Sequence, residues 1–501
     1  MLQRLQSYAA MSLAVGFALL QAGCTVAAVP VSPADVNSFT GALAEAKANA
    51  EIEPISGPLD LHEALARAIR YNSDLRVREF EVEVEDAKLS AANAALLPDI
   101  VAEMSRYNRK ERGPGYGSIA SGLGASSDLS LSWNILDFGL SYVRARQGGD
   151  AVLYKAEEYR RTASALVKET RYAYWRAVAA ERLQSRLGKL QSDIDAALKK
   201  SAAQEKDPSF DPMDALVYER DLLNEKRELN TFVASLAGAS AELKRLISVP
   251  QEHVIKLKPA TGDVPDSLLK LAPADAVRIA IENRPEIRQL IYQARITSHE
   301  LDAVVLQKLP ALSLTSGLAG SGLNLIANSN WVSLGARAAW SLMSLFRLPK
   351  EMDVIGKEQV LQRQQAFAIT EAIAMQTHVS IAQSRMLHRV YDDSRKYLRV
   401  QKRIENQTHV SVEQGMAGTQ PLVRERLSTL LAEIRSALAY AELQNAYGHY
   451  QSTLGIDYVA PGNARQLTVS EIATGLREVE KSGWRQLETL PPAPKKIVSL
   501  Q

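Results

Sequence analysis

The sequence predicts a mainly α-helical chain with a small β part, built from two copies of one unit, each with a strand hairpin and a long helical hairpin. Three observations predict this. Residues 64 to 76, "ALARAIRYNSDLR", match residues 276 to 288, "AVRIAIENRPEIR", without a gap, and the same offset lays Leu97-Pro98 on Leu309-Pro310. The stretches from about 140 to 204 and from 348 to 413 hold no proline after Pro349, so each can run as one helix of roughly 100 Å. Between the helical stretches, short segments alternate apolar and polar residues, the period of a strand with two unlike faces. A slightly shorter offset places Trp133 on Trp340 and "ALVYER" at 215 to 220 on "PLVRER" at 421 to 426. Two copies at this spacing are a duplicated domain, residues 59–268 and 269–458, rather than a solenoid.

The chain opens with Arg4, an apolar run from Tyr8 to Leu20 and the small residues Ala22 and Gly23. Residues 1–23 therefore read as an export signal, too short to be a transmembrane helix. Cys24 is the only cysteine, which excludes an intramolecular disulfide and a thiolate metal cluster. "LLQAGC" resembles a bacterial lipobox, whose cysteine becomes diacylated and starts the mature protein. Here Gln21 stands at the usually apolar third position before Cys24, with Leu20 one further back. The competing reading is a signal-peptidase cut after Ala28, which would remove Cys24 with the signal.

Each copy then repeats one order of elements. A helix stops at Leu-Pro, because proline disfavours helical geometry in its predecessor and donates no amide. Strands over about 99–107 and 128–137 flank the Gly/Ser-rich loop "ERGPGYGSIASGLGASS", and strands over about 311–318 and 331–341 flank "AGSGLNLIANSN". The strand hairpins thus span about 99–137 and 311–342. Helical hairpins follow at about 140–248 and 348–454. Leu187, Leu190, Ile194 and Ala197 lie on the first long helix. Leu229, Phe232, Leu236, Ala239, Leu243 and Leu246 lie on its partner, and Leu427, Leu430, Ile434, Ala437 and Ala441 on the partner in the second copy. Their alternating spacing of three and four is that of coiled-coil seams.

The strand "SLSWNILDFG" carries the most information. It ends in Asp137-Phe138-Gly139, which in a protein kinase holds magnesium, but the glycine-rich loop, strand lysine and H-R-D loop that a kinase needs are missing. Leu129, Leu131, Trp133 and Ile135 alternate with Ser130, Ser132 and Asn134. A strand of 9 to 11 residues crosses a membrane at a tilt, but four strands cannot close a barrel, and an open sheet edge finds no partner in lipid. Membrane-spanning strands would therefore have to be pooled from several chains, with Ser130, Ser132 and Asn134 lining a wet lumen and Leu129, Leu131, Trp133 and Ile135 meeting lipid.

The export signal, the two repeats of helix, Leu-Pro and hairpin, "SLSWNILDFG" leading into a long helix, and the heptad helical hairpins resemble the TolC family of bacterial outer-membrane efflux and secretion ducts. The resemblance covers nearly all of residues 59 to 456; the second copy departs by reading "AAWSLMSLF". It implies a homotrimer in which a twelve-stranded β-barrel in the outer membrane continues as a periplasmic coiled-coil barrel. It also implies a passive exit duct that is opened by a periplasmic adaptor and energised by an inner-membrane pump or ABC exporter, with Asp137-Phe138-Gly139 where strand becomes helix. Residues 24–58 and 459–501 resemble the family's equatorial belt and a flexible tail. The family narrows its periplasmic end at the hairpin turns, here "EKDPSFDPMD" and "EQGMAGTQPLVRER". Acidic rings are usual there; this chain reads Arg424, Glu425 and Arg426, so the expectation is that Arg424 or Arg426 pairs with Glu413, Glu425 or Asp214 of the same or a neighbouring chain and holds the tunnel shut. Arg106, Arg109, Lys110 and Arg112 fall in the first hairpin loop, outside the cell, where they either neutralise lipopolysaccharide phosphates or form a solvated tip.

Other classes fit less well. A net charge of +2 gives no sign of a nucleic-acid partner. His62, His253, His299, His378, His388, His409 and His449 never fall at metal-ligand spacing, and neither G-x-S-x-G nor a P-loop occurs. Glu157-Glu158 and Asp392-Asp393 are adjacent on helices and point apart. No enzyme activity, catalytic residue, metal or cofactor is therefore expected. The alternative to a duct is a non-conducting periplasmic coiled-coil scaffold or an outer membrane structural lipoprotein.

Overall fold

Residues 30–48, 52–110, 121–259, 271–321, 330–456 and 465–488 are described by a computed structural model. The chain divides into two units, residues 1–54 and 55–501. In the first, helix α1 (Pro33–Ala48) is started by a reciprocal cap, in which the Asp35 amide donates to Ser32 Oγ and the Ser32 amide to Asp35 Oδ2.

In the second unit the duplication is visible element by element. The first copy runs α2 (Leu61–Tyr71), α3 (Ser73–Ala94), β1 (Asp99–Lys110), β2 (Ser121–Asn134), α4 (Ile135–Gln204), α5 (Pro212–Leu236) and α6 (Ala239–Leu246). The second runs α7 (Pro273–Asn283), α8 (Pro285–Leu306), β3 (Ala311–Ser321), β4 (Asn330–Ala339), α9 (Leu342–Glu413) and α10 (Thr419–Leu454), and α11 (Val469–Glu488) follows. The helix starts are encoded locally. Asp60 caps α2 by accepting the Glu63 amide at 2.8 Å, and Asp211 caps α5 ahead of Pro212, whose missing N–H costs nothing in a first turn.

The strands differ from the expected bounds. β1 runs on to Lys110 and β2 begins at Ser121, whereas β2 ends at Asn134 and β4 at Ala339. Two corrections follow. Ile135 is the first residue of α4 and not a strand residue, so it leaves the apolar strand set. Arg106, Arg109 and Lys110 lie on paired β1, opposite Ala125, Gly122 and Ser121, and not in the loop. Arg112 lies outside the described residues. Asp137-Phe138-Gly139 falls in the first turn of α4, where strand gives way to helix.

α4 has 70 residues and α9 has 72, each roughly 105 Å at 1.5 Å per residue. α9 begins earlier than expected and runs through Pro349, which costs one backbone bond near its start without ending it. The partner helices also differ between copies. α10 is continuous over 36 residues, while the equivalent stretch of the first copy breaks after Leu236 into α5 and α6. Leu190, Ile194, Ala197, Leu229, Leu236, Leu427, Leu430 and Ile434 are all buried in one core between α4, α5 and α10, as the seam spacing predicts, whereas Leu243, Leu246 and Ala441 of the same series are buried in a different core.

A second core joins α2, α4, α6 and α11 through Leu65, Ile69, Tyr174, Leu246, Ile472 and Leu476. There the Leu59–Leu257 bridge lies on α4, with the Tyr174 hydroxyl 2.9 Å from the Leu59 carbonyl and 2.6 Å from that of Lys258. A third core, between α7, α9 and α10, holds Ile279, Ile381, Tyr447 and Tyr450.

Candidate duct wall and gate

The two strand hairpins join into one four-stranded antiparallel sheet in the order β1-β2-β3-β4. Directly paired residues share a face, so the register can be read as rows. Ala102, Leu129, Leu318 and Val332 form one row, and Ile100, Leu131, Ser316 and Leu334 another. On the other face run Val101, Ser130, Gly317 and Ser333, followed by Ser132, Thr315 and Gly335. Trp133 and Asn134 hold the next register positions, opposite Leu314 and Ser313. The alternation seen in β2 alone is therefore continued by strands of both copies. On the apolar face Ile100, Leu129, Leu131, Leu318, Val332 and Leu334 are exposed in the single chain.

The polar face is crowded. The hydroxyls of Thr315, Ser333 and Ser313 donate to the carbonyls of Gly335, Gly317 and Arg337 at 3.3 to 3.4 Å. A β-carbon at Gly335 would lie 2.8 Å from Thr315 Oγ1, and one at Gly317 would lie 3.0 Å from Ser333 Oγ. Glycine at these two positions lets the hydroxyls lie flat against the neighbouring backbone.

At the other end of the long helices, the two hairpin turns lie side by side. The Tyr218 hydroxyl of α5 donates to the Gln420 carbonyl at 3.1 Å, and the Gln420 amide donates to Gln204 Oε1 at 2.6 Å. Gly415, with φ +68°, makes the tight turn after α9. Of the expected gate residues, Arg424 Nε lies 3.7 Å from Glu425 Oε1. Within one chain the partner of Arg426 is Asp193 of α4, at 3.9 Å, because α10 packs along α4. Glu413 faces His409 at 3.6 Å, and Asp214 sits in the first turn of α5. Within one chain the structure thus brings Arg424 to Glu425, and Glu413 to His409.

Two groups here escaped the sequence reading. Gln401, buried on α9, donates to Glu425 Oε2 at 2.7 Å. Glu225 of α5 accepts from Ser428 Oγ at 2.9 Å, and its Oε2 has no hydrogen-bond partner. Burial raises the Glu225 carboxyl above the usual range; the Ser428 bond and Arg424 lower it, and Glu425 and Asp221 raise it. The sequence did hold a signal for Glu225, an acid at the seam position between Leu222 and Leu229. It held none for Asp193, whose contact exists only through the packing of distant helices.

Most of the paired acids are held in ion pairs, Glu157 with Arg160, Glu158 with Lys155 and Arg78, and Asp393 with Lys396, while Asp392 lies 3.5 Å from His388. Among the described residues, no group of three or more His, Cys, Asp or Glu could hold a metal ion. No described helix is long and apolar enough to cross a membrane. Cys24 lies outside the described residues.

This arrangement, a duplicated unit of strand hairpin and long helical hairpin, is the TolC-like fold expected from the repeats. Solved structures share it. The outer-membrane channel OprN superposes with a TM-score of 0.62 at 15% identity, over 79% of this chain and 89% of that one. The open state of the MtrE outer membrane channel of Neisseria gonorrhoeae gives 0.62 at 15% identity, over 79% and 88%. The CmeC outer membrane channel of Campylobacter jejuni gives 0.61 at 15% identity, over 84% and 89%. No family model matches the sequence, and no curated protein matches it.

Proposed function

We propose that the chain is one third of a passive outer-membrane duct. The observation that carries this reading is the sheet whose rows separate a mainly apolar face from one that is Ser/Thr/Gly-rich on β2, β3 and β4, with Val101 and Ser316 as exceptions, and end at two open edges, β1 and β4. Such edges are not stable in lipid, and three copies pairing β4 to β1 close a barrel of twelve strands with the polar face inward. The exposed apolar series Val379, Met386, Val390, Tyr397, Val400 and Ile404 on α9 supports the same assembly, since its alternation of three, four and seven is a seam for a helix of a neighbouring copy. The proteins of like fold are channels of the outer membrane, which favours this location, with the long helices in the periplasm.

In this reading the duct is the exit of a tripartite efflux pump or a type I secretion system, opened by a periplasmic adaptor and driven by an inner-membrane pump or ABC exporter. Contacts around Arg424, Glu425, Arg426 and Asp193 hold the periplasmic end closed. Cys24 becomes the lipidated first residue, an addition to anchoring rather than its source. The test is a heat-modifiable trimer in outer-membrane fractions that conducts in a planar bilayer. A trimer that conducts neither as purified nor with Arg424→Ser and Arg426→Ser combined would favour the non-conducting scaffold instead. An intact mass beginning at Val29 would remove the lipid anchor alone.

A further inference from the structure

α10 packs against both α4 and α9, and above it the two long helices leave a pocket of about 680 Å³. We propose that this pocket binds an aromatic organic anion, a ring-bearing carboxylate, sulfonate or phosphate of drug-like size.

Charge is the first argument. α4 contributes Arg182 and Arg186, α9 contributes Arg395 and Lys402, and the acid on the lining is Glu433 of α10. Arg186 and Lys402 share that one carboxylate, with Lys402 Nζ at 2.7 Å. Even with Arg395 left out of the count, one carboxylate cannot balance Arg182, Arg186 and Lys402 in a concave site, where field lines concentrate. Both sharing cations are more than half exposed, so an incoming anion can reach them.

The floor is the second argument. The Trp175 and Tyr440 rings meet edge to face at 4.7 Å, and Tyr391 and Tyr440 lie 5.1 Å apart. The Arg395 guanidinium sits over the Tyr391 ring at 5.5 Å. Trp175 is 4% exposed, so the ring is held firmly in place beneath the pocket. A volume of several hundred Å³ with an aromatic floor and a few convergent charges is what small-molecule sites require. The adjoining groove toward the hairpin turns, about 610 Å³, adds Asp193 and Glu405 against Arg426, and its near-balanced charge confines the anion preference to the upper pocket. An anion held here touches α4 from the first copy and α9 and α10 from the second, so it ties the two helical hairpins together.

The test is fluorescence anisotropy on the full-length purified protein with 8-hydroxypyrene-1,3,6-trisulfonate as probe and proflavine as its cationic counterpart. Saturable binding of the trisulfonate that weakens with added salt is expected, with none for proflavine. Arg182→Ala with Arg395→Ala should weaken it about tenfold, and Glu433→Gln should tighten it severalfold, because the competing carboxylate is gone. If the double variant does not fold, Arg182→Gln on the exposed face of α4 reads the same loss. Absence of saturable binding, equal binding of proflavine, or affinity unmoved by both the arginine and the Glu433 variants overturns the proposal. None of these readouts depends on conduction, so the duct reading stands or falls separately.

Discussion

Ser248 and Gly455 hold the same left-handed corner in the two copies, with φ of +58° and +69°. Each follows the last helix of its copy and abuts the junction between that copy's first two helices. Ser248 Oγ donates to the Tyr71 carbonyl at 2.9 Å, while a β-carbon on Gly455 would lie 2.7 Å from the Asn283 carbonyl carbon and 2.8 Å from the Arg284 nitrogen. The first copy leaves room for a side chain and uses it; the second closes the gap against backbone.

The two corners should therefore respond unequally. Gly455→Ser should destabilise by at least about 2 kcal/mol, since the left-handed cost adds to a clash with backbone that cannot rotate away. Ser248→Gly should be nearly neutral, because loss of its hydrogen bond, about 1 kcal/mol, is offset by release of about 1 kcal/mol of left-handed strain. Denaturant melts of the two variants check this; equal costs would show that the second junction can open.

Tyr218→Phe removes one of the two hydrogen bonds that tie the hairpin turns. Together with Arg424→Ser and Arg426→Ser, singly and combined, it should raise planar-bilayer conductance if these contacts hold the closure. Arg426→Ser should act through Asp193, so Asp193→Ser should reproduce its effect. Conductance and ion selectivity unchanged in every variant would remove the gate while leaving the duct.

On the sheet, Leu131→Arg places a charge on the apolar face and should cost about 2 to 4 kcal/mol of assembly near a bilayer midplane. Ser132→Arg, one residue along and on the polar face, should leave the trimer intact and alter ion selectivity. Equal trimer loss on native gels would mean the faces are reversed or unused.

Two carboxylates should give opposite pH dependences. Burial pushes Glu480 upward, but Arg171 at 3.2 Å and His62 at 2.8 Å outweigh it and bring the carboxyl down to about 2. Its contribution, on the order of 3 kcal/mol at most, is present above the ordinary carboxylate range and is lost as pH falls from about 4.5 toward 2. Glu225 is raised instead, so its ionised form weakens the fold as pH rises above the ordinary carboxylate range. Glu480→Gln should lower the melting temperature at pH 7 and flatten its fall in acid, whereas Glu225→Gln should raise it at pH 7 and change little in acid. Melts from pH 3 to 7 separate the two.

The sequence by itself determined the elements and their repetition. The Leu-Pro breaks, the alternation around Leu131 and Ser132, and the three-four spacing of Leu190, Ile194, Leu229 and Leu430 are local signals, because strand and helix periods are set by backbone geometry over a few residues. Only the tertiary structure decided which Ser and Leu rows align across strands of different copies, that Arg426 meets Asp193 within one chain, and that α11 closes onto α2 through Arg477 with Asp60 and Glu480 with His62. It also gathered Arg182, Arg186, Arg395 and Lys402 around one pocket. Such pairings join residues hundreds of positions apart, and an ion pair leaves no periodic trace in either partner's neighbourhood. They are fixed by how 70-residue helices pack side by side, where a shift of one turn, about 5.4 Å, exchanges every charged partner while leaving each local pattern unchanged.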